Sequence, residues 1–274
     1  MILMRHLVIL VNGCRRAGVL WALAVVVCGT QAMVPARSAA AGDDEAPDLT
    51  LSFTTLDTMS LGDAGIIAGI TWMGPDTLVV LEAIPDSMSR SGDREVSLVF
   101  RDRAGDILLR EDFSGVLDRA LAWDGEYLYS CGDAKDGSSI LYQIQVDTLQ
   151  VEEAFDAPGH RPGAMCFDGR YVWLSDRDTG RVDRFDPEAG AITRSAVTPG
   201  FSPYGVAWDG KNMWVTDSGT GRLYRLSGSR RSWSATVDTG SFLFRGQDVL
   251  LLHDGRTFWY VIPQERVAVE LLFN

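Results

Sequence analysis

The sequence predicts an all-β fold, a β-propeller of four-stranded blades. Three observations carry the expectation: a phrase that recurs about every 40 to 45 residues, several short strand-like runs within each copy, and no helical periodicity. The clearest copy is "GVAWDGKNMWVTDSGTGRLYRL" at residues 205–226. Asp209-Gly210 joins two runs rich in aromatic and β-branched residues, which reads as a hairpin with a type I′ turn. Gly205 to Lys211 forms one strand, Asn212 to Thr216 the next, and Arg222 to Leu226 a third beyond the Asp-Gly-rich turn at 217–221.

The phrase returns from Ala164 as "AMCFDGRYVWLSDRDTGRVDRF" and from Ala120 as "ALAWDGEYLYSCGDAKDGSSILYQI". Its turn aspartates are Asp124, Asp168, Asp209 and Asp254, spaced by 44, 41 and 45 residues, and Gly74-Pro75 marks a degenerate copy 50 residues earlier. "QVEEAFDAPG", "AITRSAVTPG" and "SWSATVDTG" supply fourth strands. The last copy ends one strand short, whereas "LTLSFTTLDT" at 49–58 precedes the first copy with nothing to pair. Joining the two closes a ring and removes both open edges. The expectation is five blades over residues 43–274, a sixth being the alternative.

Residues 1–42 differ in kind. Arg5, Arg15 and Arg16 precede the apolar run "AGVLWALAVVVCG" and the small residues "ARSAAAG", the pattern of a cleaved export signal. The apolar run is shorter than the roughly 20 residues of a membrane span. The expected location is therefore periplasmic or extracellular, with no stable span after cleavage, and an uncleaved membrane anchor or a lipoprotein at Cys28 as minor options. Removing this segment, with its four arginines and no acid, takes the charge from −12 to −16. Such a charge argues against nucleic acid, which needs basic patches. Cys131 and Cys166 remain, and in an exported protein a disulfide and two buried thiols are both open.

Because the Asp-Gly turns are tight, the opposite face carries the longer loops and is the candidate site. Those loops bring Asp118, Arg119, His160, Arg161, Tyr204, Arg245, Gln247 and Asp248 towards the channel. Arg119, Arg161 and Arg245 suit a carboxylate or phosphate, although their differing registers favour solvated loop charges. Asp133, Asp176 and Asp217 each precede a glycine by four residues, which reads as turn capping; the spacing does not match an EF-hand and no metal or other cofactor is expected. Trp72, Trp123, Phe167 and Trp208, all just before the first turn, read as packing between blades, with His253 in the same place. His160 is left as a lone histidine on the loop face. The insertion "EAIPDSMSRSGDREV" is a surface loop or a lid on that face.

"SPYGVAWDGKNMWVTDSGTGRLYRL" resembles an NHL-type or streptogramin-lyase-type repeat, and "RPGAMCFDGRYVWLSDRDTGRVDRFDPEAG" resembles the gluconolactonase-like propellers. The lactonase resemblance implies metal-binding Asp and Asn after the entering proline, where this chain has Gly163 and Tyr204. "DGSSILYQIQVDTLQ" and "WDGKNMWVTDSG" are similar to phrases of the five-bladed glutaminyl-peptide cyclotransferases. For that family's acidic strand end, "IAGITWMGPDTLVVLEA" offers Glu82, displaced by two residues. Propellers host unrelated activities. The functional expectation is an exported, non-catalytic propeller binding a small molecule or protein partner on its loop-rich channel face. The alternative is an enzyme, either cyclotransferase-like with Glu82 or Asp133 as proton shuttle, or lactonase- or lyase-like with His160.

Overall fold

Each Asp-Gly pair reverses the chain between two antiparallel strands, and the carboxylate is what fixes the reversal. The computed structural model describes residues 49–50, 53–62, 65–83, 95–114, 117, 119–133, 138–157, 159, 162–227, 233–237 and 246–273. At Asp209, Oδ1 accepts the N–H groups of Lys211 (2.8 Å) and Asn212 (2.6 Å), while Oδ2 accepts Trp214 Nε1–H at 2.7 Å. Asp168 does the same with Arg170, Tyr171 and Trp173, and Asp254 with Arg256, Thr257 and Trp259. In the Asp124 turn Tyr129 Oη–H takes the indole's place. Positive φ falls on the glycines alone (Gly125, Gly169, Gly210 and Gly255), so these are not the type I′ turns expected, which need it at two positions. The aspartate side chain fixes these turns instead, as the acceptor for their N–H groups.

The strands order themselves from the axis outwards. After β1 (Leu49–Thr50) and β2 (Phe53–Ser60), blade 1 is β3 (Ile66–Met73), β4 (Thr77–Ala83), β5 (Glu95–Asp102) and β6 (Ile107–Ser114). Blade 2 is β7 (Arg119–Trp123), β8 (Tyr127–Asp133), β9 (Ser139–Gln145) and β10 (Gln150–Asp156). Blade 3 is β11 (Pro162–Phe167), β12 (Val172–Asp176), β13 (Arg181–Asp186) and β14 (Ala191–Val197). Blade 4 is β15 (Pro203–Trp208), β16 (Asn212–Asp217), β17 (Arg222–Ser227) and β18 (Trp233–Val237). Blade 5 is β19 (Leu250–His253), β20 (Phe258–Ile262), β21 (Val267–Phe273) and, from the other end of the chain, β2. The protein is thus a five-bladed propeller, and no described residue is helical. β2 runs antiparallel to β21 from Phe53↔Phe273 to Ser60↔Val267, which closes the ring as expected. The expected single strand over 49–58 is instead two: Leu49-Thr50 pairs in parallel with Thr236-Val237 of blade 4 before the chain crosses to blade 5.

Second strands are buried on both sheet faces because a blade packs against each face, and β4, with six of seven residues buried, reads as a continuous apolar run. Near the axis the backbones approach closely. A Cβ on Gly205 would sit 2.5 Å from Val249 O, and one on Gly69 2.6 Å from the Ala120 carbonyl carbon. Hydroxyls on the second strands bolt these approaches: Thr216 Oγ1 accepts Gly205 N–H (2.8 Å) and donates to Val249 O (2.7 Å), joining blades 4 and 5. Ser175 Oγ accepts Ala164 N–H at 3.0 Å and reaches Tyr204 O at 2.5 Å, joining blades 3 and 4. Cys131 and Cys166 are thiols, not a disulfide; their sulfurs lie 3.8 Å from Met165 Sδ and 3.7 Å from Met213 Sδ. Residues 1–42 and the insertion after Ala83 (84–94) lie outside the described residues.

Candidate functional site

At the loop-rich mouth of the channel, three consecutive blades bring their strand ends together. Arg177 follows β12, Tyr204 stands second in β15, and Asp248 leads into β19. Arg177 Nη1 donates to Asp248 Oδ2 at 2.7 Å, and its Nε–H reaches Ser202 Oγ at 3.4 Å. The guanidinium carbon lies 5.4 Å from the centre of the Tyr204 ring. Ser202 and Ser218 hydroxyls are 3.0 Å apart beside it. The ion pair is half-open, with side-chain exposures of 33% and 22%, so an incoming anion or amide can share the guanidinium.

The aspartates that end the second strands sit just beneath and are committed to the backbone. Asp217 is fully buried; Oδ1 accepts Thr220 N–H and Oγ1–H, Oδ2 accepts Ser202 N–H at 2.7 Å, and Gly221 N–H closes on Asp217 O. Asp176 caps Asp178 and Thr179 through Oδ1, whereas its buried Oδ2 has no hydrogen-bond partner among the described residues. The glycines of "APG" and "TPG" are required by these carboxylates: a Cβ on Gly200 would lie 2.2 Å from Asp217 Oδ2, and one on Gly159 would overlap Asp176 Oδ2. The turn-capping reading therefore fits Asp176 and Asp217.

Glu82, near the loop-face end of β4, is 2% exposed and surrounded by guanidinium groups. Oε1 accepts from Arg266 Nη2 (2.8 Å) and Arg101 Nη2 (3.4 Å), and Oε2 from Arg110 Nη2 (2.7 Å). Arg266 also donates to the carbonyls of Leu61, Gly62 and Gly65. That segment carries the chain from blade 5 to blade 1, so the Glu82 cluster grips the closing seam. Arg119 is half-buried at the start of β7, away from the Arg177 pair in sequence order around the ring. Asp133 ends β8, but its side chain lies outside the described residues, as do Asp118, His160, Arg161 and Arg245. Arg177 was missed by sequence reasoning. Its signal was the comparison of copies, since "SDRDTG" has arginine where "TDSGTG" has Ser218.

On the opposite, turn-side mouth, Trp72, Trp123, Phe167, Trp208 and His253 line a small axial cavity of about 90 Å³. Trp72 is buried against Trp259 in the seam between blades 5 and 1, and the other four are half-buried, so they both pack the blades and face the axis. His253 Nδ1 accepts Gly255 N–H; burial depresses its pKa, against the pull of Asp254 and Asp209. Among the described residues no group of three or more His, Cys, Asp or Glu is placed to hold a metal, and no helix is long and apolar enough to cross a membrane.

No protein-family model matches the sequence, and no curated protein does. The fold does match solved structures. A glutaminyl cyclase from Myxococcus xanthus superposes with a TM-score of 0.61 at 10% identity, over 83% of this chain and 99% of that one. Hydrazine synthase from Kuenenia stuttgartiensis gives 0.45 at 19% identity, over 73% of this chain and 56% of that one. At such identities the likeness is one of architecture: the chain has the five-bladed arrangement that the glutaminyl cyclase also has.

Proposed function

We propose that the protein is an exported binding propeller whose ligand, a small molecule or a segment of a protein partner, is held at the loop-rich channel mouth. The observation that carries this reading is the half-open Arg177–Asp248 pair laid against Tyr204, built from three blades at the axis. Its chemistry selects a carboxylate or amide that can pair with the guanidinium while an apolar part covers the tyrosine ring. Asp217 beneath the pair is occupied by turn N–H groups, and Glu82, in the seam between blades 5 and 1, by three guanidinium groups, which favours binding over proton transfer by either acid. A thermal-shift series with short carboxylates, sugar lactones and glutamine-led peptides tests it, because a ligand of the native state raises the melting temperature as it is added. A saturable shift that disappears in Arg177→Ala and Tyr204→Ala is expected; a shift that persists in both variants removes the site from this mouth.

The architecture shared with a glutaminyl cyclase favours one second reading, an enzyme that cyclises amino-terminal glutamine with Glu82 moving the proton. Ammonia release from a glutamine-led peptide, abolished by Glu82→Gln in a folded variant, would establish it. Export is tested by locating the mature chain after cell fractionation and reading its amino terminus.

A further inference from the structure

The seam between blades 5 and 1 holds a guanidinium group on its turn side. Arg103, from the turn after β5, lies 5.3 Å from the Trp72 ring and 5.5 Å from that of Trp259, and donates to Asp254 (2.5 Å) and Glu270 (3.2 Å). The next seam, between blades 1 and 2, keeps one part of that frame, an aromatic ring, and lacks the arginine; Met73 and Val79 stand where blade 5 has Asp254 and Trp259. Trp123 occupies in blade 2 the place of Trp72 in blade 1, each opposite a leucine of the second strand. Val146 occupies the place of Arg103, each following the residue that pairs with the start of the second strand. What remains is an open groove of about 500 Å³ beside Trp123.

Its walls are chemically lopsided. Met73 and Val146 supply apolar surface, and the charged lining side chains are both acidic, exposed Glu126 and Asp147; beside them Gln145 has a buried Oε1 with no hydrogen-bond partner among the described residues. The negative field there is felt by Tyr127, whose hydroxyl is held above its usual range, chiefly by Glu126 with burial and Glu152 adding. An aromatic face, an apolar floor and an acidic rim suit a long cationic side chain, whose stem can be buried while its head stays on the acids.

We propose that this groove binds an arginine side chain presented by a protein partner, its stem along Met73 and Val146, its guanidinium against Trp123 and its N–H groups on Glu126 and Asp147. The interaction repeats between molecules what Arg103 does within this one. It lies on the face opposite the Arg177 mouth, so the two sites stand or fall separately.

The test is calorimetric titration of the full chain with blocked Gly-Arg-Gly, with blocked Gly-Leu-Gly and Gly-Glu-Gly as comparisons. Arginine-selective binding that weakens with salt is expected, reduced about tenfold in Glu126→Gln/Asp147→Asn, whose side chains are exposed. Val146→Arg should abolish it by filling the groove from within, and Tyr204→Ala should leave it unchanged. Absence of binding, equal binding of the leucine peptide, or binding unaffected by Val146→Arg would overturn the proposal.

Discussion

In four of the five inner hairpins a single carboxylate oxygen accepts two N–H groups of the turn. Asp254 is the most heavily used of the turn aspartates, accepting from Arg256, Thr257, Trp259 and Arg103. Burial pushes its carboxyl up, but the hydrogen bonds of Thr257, Arg103 and Arg256 outweigh it and hold the pKa at about 2. Because the folded value lies below the unfolded one, near 3.9, its stabilisation is complete above about pH 4 to 5 and is lost as pH falls through about 2. Asp254→Asn should therefore cost on the order of 2 kcal/mol at neutral pH, with the difference from wild type shrinking in denaturant titrations at pH 2 to 3. The two thiols make a separate prediction. Burial raises the Cys166 thiol well above its ordinary range, with Asp168 adding, and Cys131 is fully buried. Iodoacetamide should leave both unmodified in the native protein and label both after unfolding, as read by mass spectrometry.

Between neighbouring blades the repeated element is a strand carrying both a hydroxyl and an aspartate at its end, Ser175-Asp176 and Thr216-Asp217. The hydroxyl bolts one inner strand to the next, and Thr216→Val removes an acceptor from Gly205 N–H and a donor from Val249 O while keeping the shape. Two buried backbone groups then lose their partner, so a loss of about 2 to 4 kcal/mol is expected in equilibrium unfolding. Most of this level was legible in the sequence, because the period, the Asp-Gly pairs and the short fourth strands are local patterns. The Trp or Tyr five residues after each turn aspartate goes unread in the sequence, where the aromatics before the turn stand out; its bond to Asp124, Asp168, Asp209 or Asp254 explains why it recurs. What stayed hidden is contact between distant copies. The split of the amino-terminal segment between β18 and β21, and the meeting of Arg177 with Asp248 71 residues on, depend on how blades are placed around the axis.

For the whole ring, blade 5 is assembled from β2 and β21, which are distant in sequence, and charge is concentrated on both faces of its seam with blade 1. Arg103 with Asp254 and Glu270 secures the turn side; Glu82 with Arg101, Arg110 and Arg266 secures the loop side. Glu82 is almost fully buried, and Arg101 and Arg266 are 5% and 11% exposed, so water cannot take the place of a partner that is removed. Arg266→Ala also deprives the carbonyls of Leu61, Gly62 and Gly65 of their donor. It should destabilise the protein by about 3 to 5 kcal/mol, the range found when a buried ion pair loses one member. The loss should be local before it is global, because β2 is the outer strand of blade 5 and pairs, among the described strands, with β21. Hydrogen exchange in Arg266→Ala should therefore accelerate first in residues 53–62 and in β21, while β8, β12 and β16 keep their protection. Uniform acceleration across the blades would show that the seam is no weaker than the rest of the ring and that Glu82 is not held there to keep it shut.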